Sequence, residues 1–423
     1  MIVALAYGRT GLDVEVPDSA DIVVPQYTPG FRDEERALLE SFRHPIQSPP
    51  LAELVTPGDS AVVVHTDITR ATPNALILPV LLAELESAGV RREDITLLNG
   101  LGTHRKQTEG ELRSMLGDSV VDRYRCHQHD CYDDANLVPL DRTSLGHPVR
   151  INKQYLDADL RILTGFIEPH FFAGYSGGPK AVLPSLAGTE SVFTNHGLAM
   201  IADPRATWDV TDGNPIWEEM RDVALKTNPT FLLNVTLNTE RQITGVFAGD
   251  MLAAHAQGCA FVKKTAMVGV GAPYDIVLTT NSGYPLDQNL YQSVKGISAA
   301  SKIVKDSGAI IMAAACEDGL PDHGQYADLL SKAGSPAGVM EMISEPGFSV
   351  QDQWQVQIQA QIQQKAEVFV YSDNLSDEQI RQALFKPCRD IGETIGRLIE
   401  RFGIDSRICV LPEGPQTIPY VMD

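Results

Sequence analysis

The chain has 423 residues, 43% of them hydrophobic and 21% charged, enough apolar material for two ordinary domains or one large one without disulfides. Its net charge of −21 argues against nucleic acid or an anionic membrane as partners, because both are gripped through Lys and Arg. A small anionic substrate stays open, since a few local cations outweigh a distant field that salt screens within about 10 Å.

The first residues, MIVALAYGRTGLDVEV, read as an opening strand and not as a signal peptide. No apolar run approaches the roughly 20 residues a membrane helix needs. The six cysteines are too scattered for a disulfide framework, so a cytoplasmic enzyme is expected. Strand-like runs at 60–67, 94–100, 159–166, 274–283, 308–316, 366–373 and 407–414 alternate with helical periodicity at 75–89, 109–117, 293–304 and 392–403. That order predicts two α/β domains with largely parallel sheets and an active-site cleft between them. A boundary is expected near 269–273. It leaves 1–272 as the domain of cofactor and chemistry and 274–386 as the domain that closes the cleft, with 387–423 packing back on the first.

Ligands of such sheets bind beyond the carboxyl ends of the strands, and the polar residues cluster there. HTDITRATP at 65–73 ends a strand at Asp67 and then offers Arg70, suited to a carboxylate or phosphate, although a plain cap with an ion pair explains it as well. NGLGTHR at 99–105 lacks the third glycine of a dinucleotide fingerprint, but places His104 where a general base would stand, although taken alone a surface histidine is the preferred reading. In CHQHDC at 126–131, Cys126, His127, His129 and Cys131 are all zinc-competent. Their spacing is too compact for a usual structural site, and a polar edge strand with a buried cysteine is the preferred reading.

The richest window is GFIEPHFFAGYSGGPKAVLPSLAGTESVFTNHG at 165–197, with His170, Lys180 and His196 among glycines. Its GYSGGPK segment does not have the phosphate-loop spacing of nucleoside triphosphatases. Gly174, Ser176, Gly177 and Gly178 are expected to cradle a cofactor phosphate through backbone N–H groups. Further on, Tyr291, Gln292 and Lys295 lie at helical spacing, and Lys295 reads as a cation facing the cleft or as a solvated helix lysine. Trp354 would close the cleft or fill a core.

GTHR at 102–105, EPHFFAGYSGGPKAVLP at 168–184, NHG at 195–197, YQSVKG at 291–296 and DQW at 352–354 together resemble the nickel-pincer nucleotide-dependent lactate racemase family, in family order and over essentially the whole chain. The resemblance implies a 2-hydroxyacid racemase or epimerase that inverts C2 by proton-coupled hydride transfer. The implied cofactor is pyridinium-3-thioamide-5-thiocarboxylic acid mononucleotide, which grips nickel through two sulfurs and a ring carbon. It would be attached covalently to Lys180, with His196 as the remaining nickel ligand. Soft sulfur with one imidazole suits nickel. His104 and His170 become the acid/base pair, and Arg70 and Lys295 hold the substrate carboxylate. Asp67, Tyr291, Gln292 and Trp354 fall at positions near the cofactor. Separate proteins make that cofactor, so an isolated chain can lack it. The competing readings are a zinc-dependent hydrolase built on CHQHDC or the three histidines, and a non-catalytic sensor or carrier of the same fold.

Overall fold

The computed structural model describes residues 1–321 and 324–422. The chain divides into two units, one formed by Tyr27–His196 and Asp203–Lys263, the other by Met1–Gln26, Gly197–Ala202 and Lys264–Asp423.

The first unit is built on a six-stranded sheet in the order Ile243–Gly249, Phe231–Leu237, Leu160–Phe166, Ala61–Thr66, Ile95–Gly100, Arg125–Gln128. Only Ile243–Gly249 runs antiparallel to its neighbour. The central strands are covered on both faces, which is why AVVVHT and LRILTGF read as continuous apolar runs without alternation. Their side chains meet Leu38, Phe42, Ile77, Leu81 and Leu85 in one core with Val63, Leu97 and Ile162. The helix Asn74–Ala88 stops at Gly89, whose φ of 113° lets its N–H return to Leu85 and Glu86 carbonyls. The helix Glu109–Leu116 begins at a Thr108/Glu111 capping box. From Ala61–Thr66 the strand order runs outward in both directions, so the switch point lies between Ala61–Thr66 and Leu160–Phe166.

The second unit carries an all-parallel six-stranded sheet ordered Lys386–Pro387, Glu367–Tyr371, Val304–Ala313, Tyr274–Thr280, Ile408–Leu411, Asp21–Ile22. The expected α/β class with largely parallel sheets is therefore the observed one.

Two expectations about organisation are corrected. The tail 387–423 does not return to the first unit. Its fully buried strand Ile408–Leu411 needs neighbours on both edges, and finds them in Tyr274–Thr280 and Asp21–Ile22. The helix Ile391–Phe402 likewise buries Ile391, Ile395 and Leu398 against Ile276 and Leu278. The opening run is a hairpin, Ile2–Leu5 with Leu12–Glu15, because Gly8 and Gly11 take positive φ and turn the chain. It belongs to the second unit.

Candidate active site

Three neighbouring strands of the first unit deliver the candidate residues at their carboxyl ends. Ala61–Thr66 runs into Asp67 and Arg70, Ile95–Gly100 into His104, and Leu160–Phe166 into Glu168 and His170. These are the strands at and beside the switch point.

Asp67 is 3% exposed. One oxygen accepts from the Thr69 backbone N–H at 3.1 Å and its hydroxyl at 2.7 Å. The other accepts from Nδ1 of His104. Burial alone would raise the carboxyl. The His104 imidazole, with Arg70 and Thr69, more than offsets that and holds it well below the usual carboxylate range. An ionised carboxylate can only accept, so the proton of a neutral His104 ring sits on Nδ1 and the Nε2 lone pair is left available. His104 is 24% exposed, enough for a ligand to reach it.

Arg70 pairs with Glu168 at 3.9 Å, too long for a hydrogen bond. Its buried Nη1 has no hydrogen-bond partner among the described residues. A buried guanidinium donor left open this way is costly, and a ligand carboxylate is the group that would satisfy it.

A second cluster is assembled around Phe172. His170 meets its ring edge-on at 4.5 Å, His196 at 4.9 Å, and the Lys180 ammonium lies 5.5 Å from its centroid. All three polar residues are buried. His170 Nδ1 accepts the Ala173 N–H at 3.3 Å, so a neutral ring carries its proton on Nε2. His196 closes the helix Thr189–Asn195, its N–H bonded to the Val192 carbonyl. Burial, with the Lys180 charge, keeps its imidazole well below the ordinary histidine range and hence neutral. A neutral imidazole beside a buried lysine is a donor set that fits the family's group: a metal ligand needs the lone pair, and a tether needs an amine that water does not reach.

The glycine-rich turn departs from the expectation. Two of the four expected N–H donors, those of Ser176 and Gly178, are spent inside the protein. Ser176 gives its N–H to Glu168 O at 2.9 Å and its hydroxyl to Phe166 O at 2.9 Å, while Gly178 gives its N–H to Asn234 Oδ1 at 2.8 Å. At Gly174, φ is +75° and a Cβ would stand 2.2 Å from the Val210 carbonyl oxygen. Gly174 and Gly178 therefore admit close packing, and the Ser176 and Gly178 N–H groups are not open to a phosphate. Sequence reasoning missed the supports of this turn. Asn234 is one, and His255 is the other: its Nε2 lies 2.9 Å from Ser176 O and its ring stacks on Trp217. Both come from distant strands and helices, and nothing local marks them. Glu168 was likewise not singled out, because nothing local marks it as the partner of Arg70.

The second unit gathers its own group. Trp354 Nε1 donates to the Tyr291 hydroxyl at 3.0 Å, and Lys295 Nζ donates to Gln292 Oε1 at 2.7 Å on the helix Leu290–Ser301. Trp354 is buried, and Tyr291 also packs edge-on against Tyr326.

CHQHDC is an edge strand and its following loop, with its four side chains dispersed. His129 is buried, with Nε2 at 3.1 Å from Ala187 O and Nδ1 at 3.1 Å from Asn152, whereas His127 is exposed. Among the described residues no group of three or more His, Cys, Asp or Glu could hold a metal. Cys126, Cys131, Cys259, Cys316, Cys388 and Cys409 are all free thiols. No helix among the described residues is long and apolar enough to cross a membrane.

Family models for the lactate racemase N-terminal domain and C-terminal domain match residues 7–209 and 270–418. The chain belongs to the lactate racemase family. Membership makes it an enzyme of the isomerase class, a racemase. It is 34% identical to a lactate racemase of Thermoanaerobacterium thermosaccharolyticum over 98% of each chain, and 35% identical to one of Lactiplantibacillus plantarum over 90% of each. The lactate racemase apoprotein structure from the former organism superposes with a TM-score of 0.90, covering all of both chains at 34% identity. A Thermotoga maritima protein shares the fold at 18% identity and a TM-score of 0.73, over 92% of this chain and 98% of its own.

Proposed function

We propose that this racemase inverts C2 of a small 2-hydroxy acid, with lactate as the first substrate to test. The observation that carries the reading is the pair of buried Asp67 and part-exposed His104 beside the unsatisfied Nη1 of Arg70. Arg70 takes the substrate carboxylate. His104, its Nε2 lone pair exposed by the bond to Asp67, accepts the C2 hydroxyl proton, and Asp67 stabilises the imidazolium that forms. Inversion passes through a planar 2-keto acid, so a second group must serve the other face. We assign that role to His170, whose imidazolium would give a proton to the keto oxygen and be left neutral, and whose neutral ring would take the hydroxyl proton in the reverse direction.

Lys180 and His196 are the residues that would hold the family's nickel-pincer nucleotide, the lysine by a covalent bond and the histidine through a ring nitrogen. When bound, that group supplies an acceptor for the C2 hydrogen with its electron pair, which avoids removing a weakly acidic C–H as a proton. The residues around it keep water away: Phe171, Phe172 and Trp208 are all buried against one another. Both relatives are lactate racemases, which favours lactate among the 2-hydroxy acids.

The test is to co-express the chain with cofactor-synthesis proteins, supply one enantiomer of 2-deuterated lactate and follow the product by chiral chromatography and mass spectrometry. The reading expects the opposite enantiomer with most of its deuterium retained. Deuterium washed out into water would contradict hydride transfer, and absence of inversion would contradict the racemase reading itself.

A further inference from the structure

We infer that Glu219 is a positioning residue for the metal ligand: through Asn195 it fixes the end of the helix that leads into His196. The inference rests on the reading of Lys180 and His196 given above and adds to it a residue with no direct part in the chemistry.

Glu219 lies on the helix Pro215–Lys226, where Ile216, Met220 and Val223 are also buried. A carboxyl group is costly at such a position unless its oxygens are bonded. Both are. Oε2 accepts from Asn195 Nδ2 at 2.9 Å, and Oε1 stands 2.8 Å from His147 Nδ1. Asn195 Nδ2 also donates to the Ile216 carbonyl at 3.2 Å, on the same helix. Asn195 is fully buried and is the last residue of the helix Thr189–Asn195, directly before His196. Its amide is thus pinned at two points, one residue from the ligand. The start of Pro215–Lys226 holds the neighbour of His196 as well. Asn214 caps this helix with its side-chain oxygen, which accepts the Ile216 N–H at 3.1 Å. Its amide nitrogen donates to the Phe172 carbonyl at 2.9 Å. Phe172 carries the ring that His196 meets edge-on at 4.9 Å. One helix therefore fixes both the backbone that leads into His196 and the ring beside it. A ligand imidazole serves a metal best when its ring is held in place, and replacing the groups that hold it typically costs about 10–100-fold in metal affinity.

The experiment uses enzyme loaded by co-expression with the cofactor-synthesis proteins. Intact mass gives the adduct per chain, elemental analysis gives the nickel per adduct, and excess EDTA gives the rate of nickel loss. Glu219→Met keeps the bulk but removes the acceptor, Glu219→Gln keeps an acceptor for Asn195, and Asn195→Ala removes the donor. Glu219→Met and Asn195→Ala should carry the adduct yet lose nickel about 10–100-fold faster than wild type. Glu219→Gln should stay within a few-fold of wild type, and combining Glu219→Met with Asn195→Ala should be no worse than the poorer single variant. A merely structural role would lower the melting temperature and the adduct yield without changing nickel loss per adduct. If Glu219→Met does not fold, Asn195→Ala set against Glu219→Gln decides in the same way. Wild-type nickel retention in a folded Glu219→Met or Asn195→Ala overturns the inference, as does a Glu219→Gln that loses nickel as fast as Glu219→Met. Either result leaves His196 as the ligand. A wild type with no adduct on Lys180, or a His196→Ala that holds nickel as wild type does, overturns the underlying reading and this inference with it.

Discussion

Asp67 serves two purposes through one side chain, bracing the Thr69 turn with one oxygen and orienting His104 with the other. Asp67→Asn keeps the shape but presents an amide in place of a carboxylate, so His104 loses both its fixed tautomer and the charge that stabilises its imidazolium. It should cut kcat by about 10²–10⁴-fold with a smaller change in KM and an unchanged circular dichroism spectrum. Full activity in the asparagine variant would show that His104 does not depend on this carboxylate. Lys180→Ala should remove any cofactor adduct from the intact mass, and an adduct retained at full stoichiometry would move the tether to another residue. Asp67, Arg70, His104 and His170 were legible in the sequence because each follows an apolar strand. The roles of Glu168, Asn234 and His255 were not, because their partners lie across the fold: Arg70 and Glu168 are far apart in the chain and meet only when two parallel strands are side by side.

At the scale of elements, the site depends on the strands Ala61–Thr66 and Leu160–Phe166 lying next to each other, and on the turn that follows the second. That turn has no room for a side chain at Gly174, where a Cβ would press on the Val210 carbonyl. In the helix Ile391–Phe402, by contrast, a Cβ at Gly396 would meet nothing within 4 Å. Gly174→Ala should therefore destabilise the protein by at least about 1–3 kcal/mol. Gly396→Ala should stabilise it by about 0.5–1 kcal/mol, because alanine suits a helix interior better. Thermal melts of the two variants should move in opposite directions, and a shift of the same sign would refute the steric account of the turn. The strands at the centre of each sheet were readable because double-sided burial writes an unbroken apolar run. The opening hairpin was hidden because its strands are only four residues each and both lie in one short run.

At the scale of the whole molecule, the tail 387–423 was misplaced because strand pairing is non-local. ICVL states that it is buried, not which sheet buries it. Buried histidines also set how the protein responds to acid. Burial pushes His65, His129 and His255 down to about 4, and lowers His196 well below 6.5. An unfolded histidine titrates near 6.5. Between 6.5 and about 4 the unfolded chain thus binds protons that the folded chain refuses, so stability is full above 6.5 and falls as the pH drops. Four such groups give a slope of up to roughly 5 kcal/mol per pH unit. Urea unfolding at pH 7.5 and 5.5 should show a clearly lower midpoint in acid. Equal midpoints would mean that these rings reach solvent in the folded state.

The most direct test of the central claim is the rate at which loaded enzyme converts one enantiomer of lactate into the other, measured for wild type, His104→Ala and His170→Ala. Wild type should reach a racemic mixture from either side, and each substitution should slow both directions by about 10²–10⁴-fold. A loaded wild type that leaves enantiopure lactate unchanged, or a histidine variant that racemises at the full rate, would contradict it.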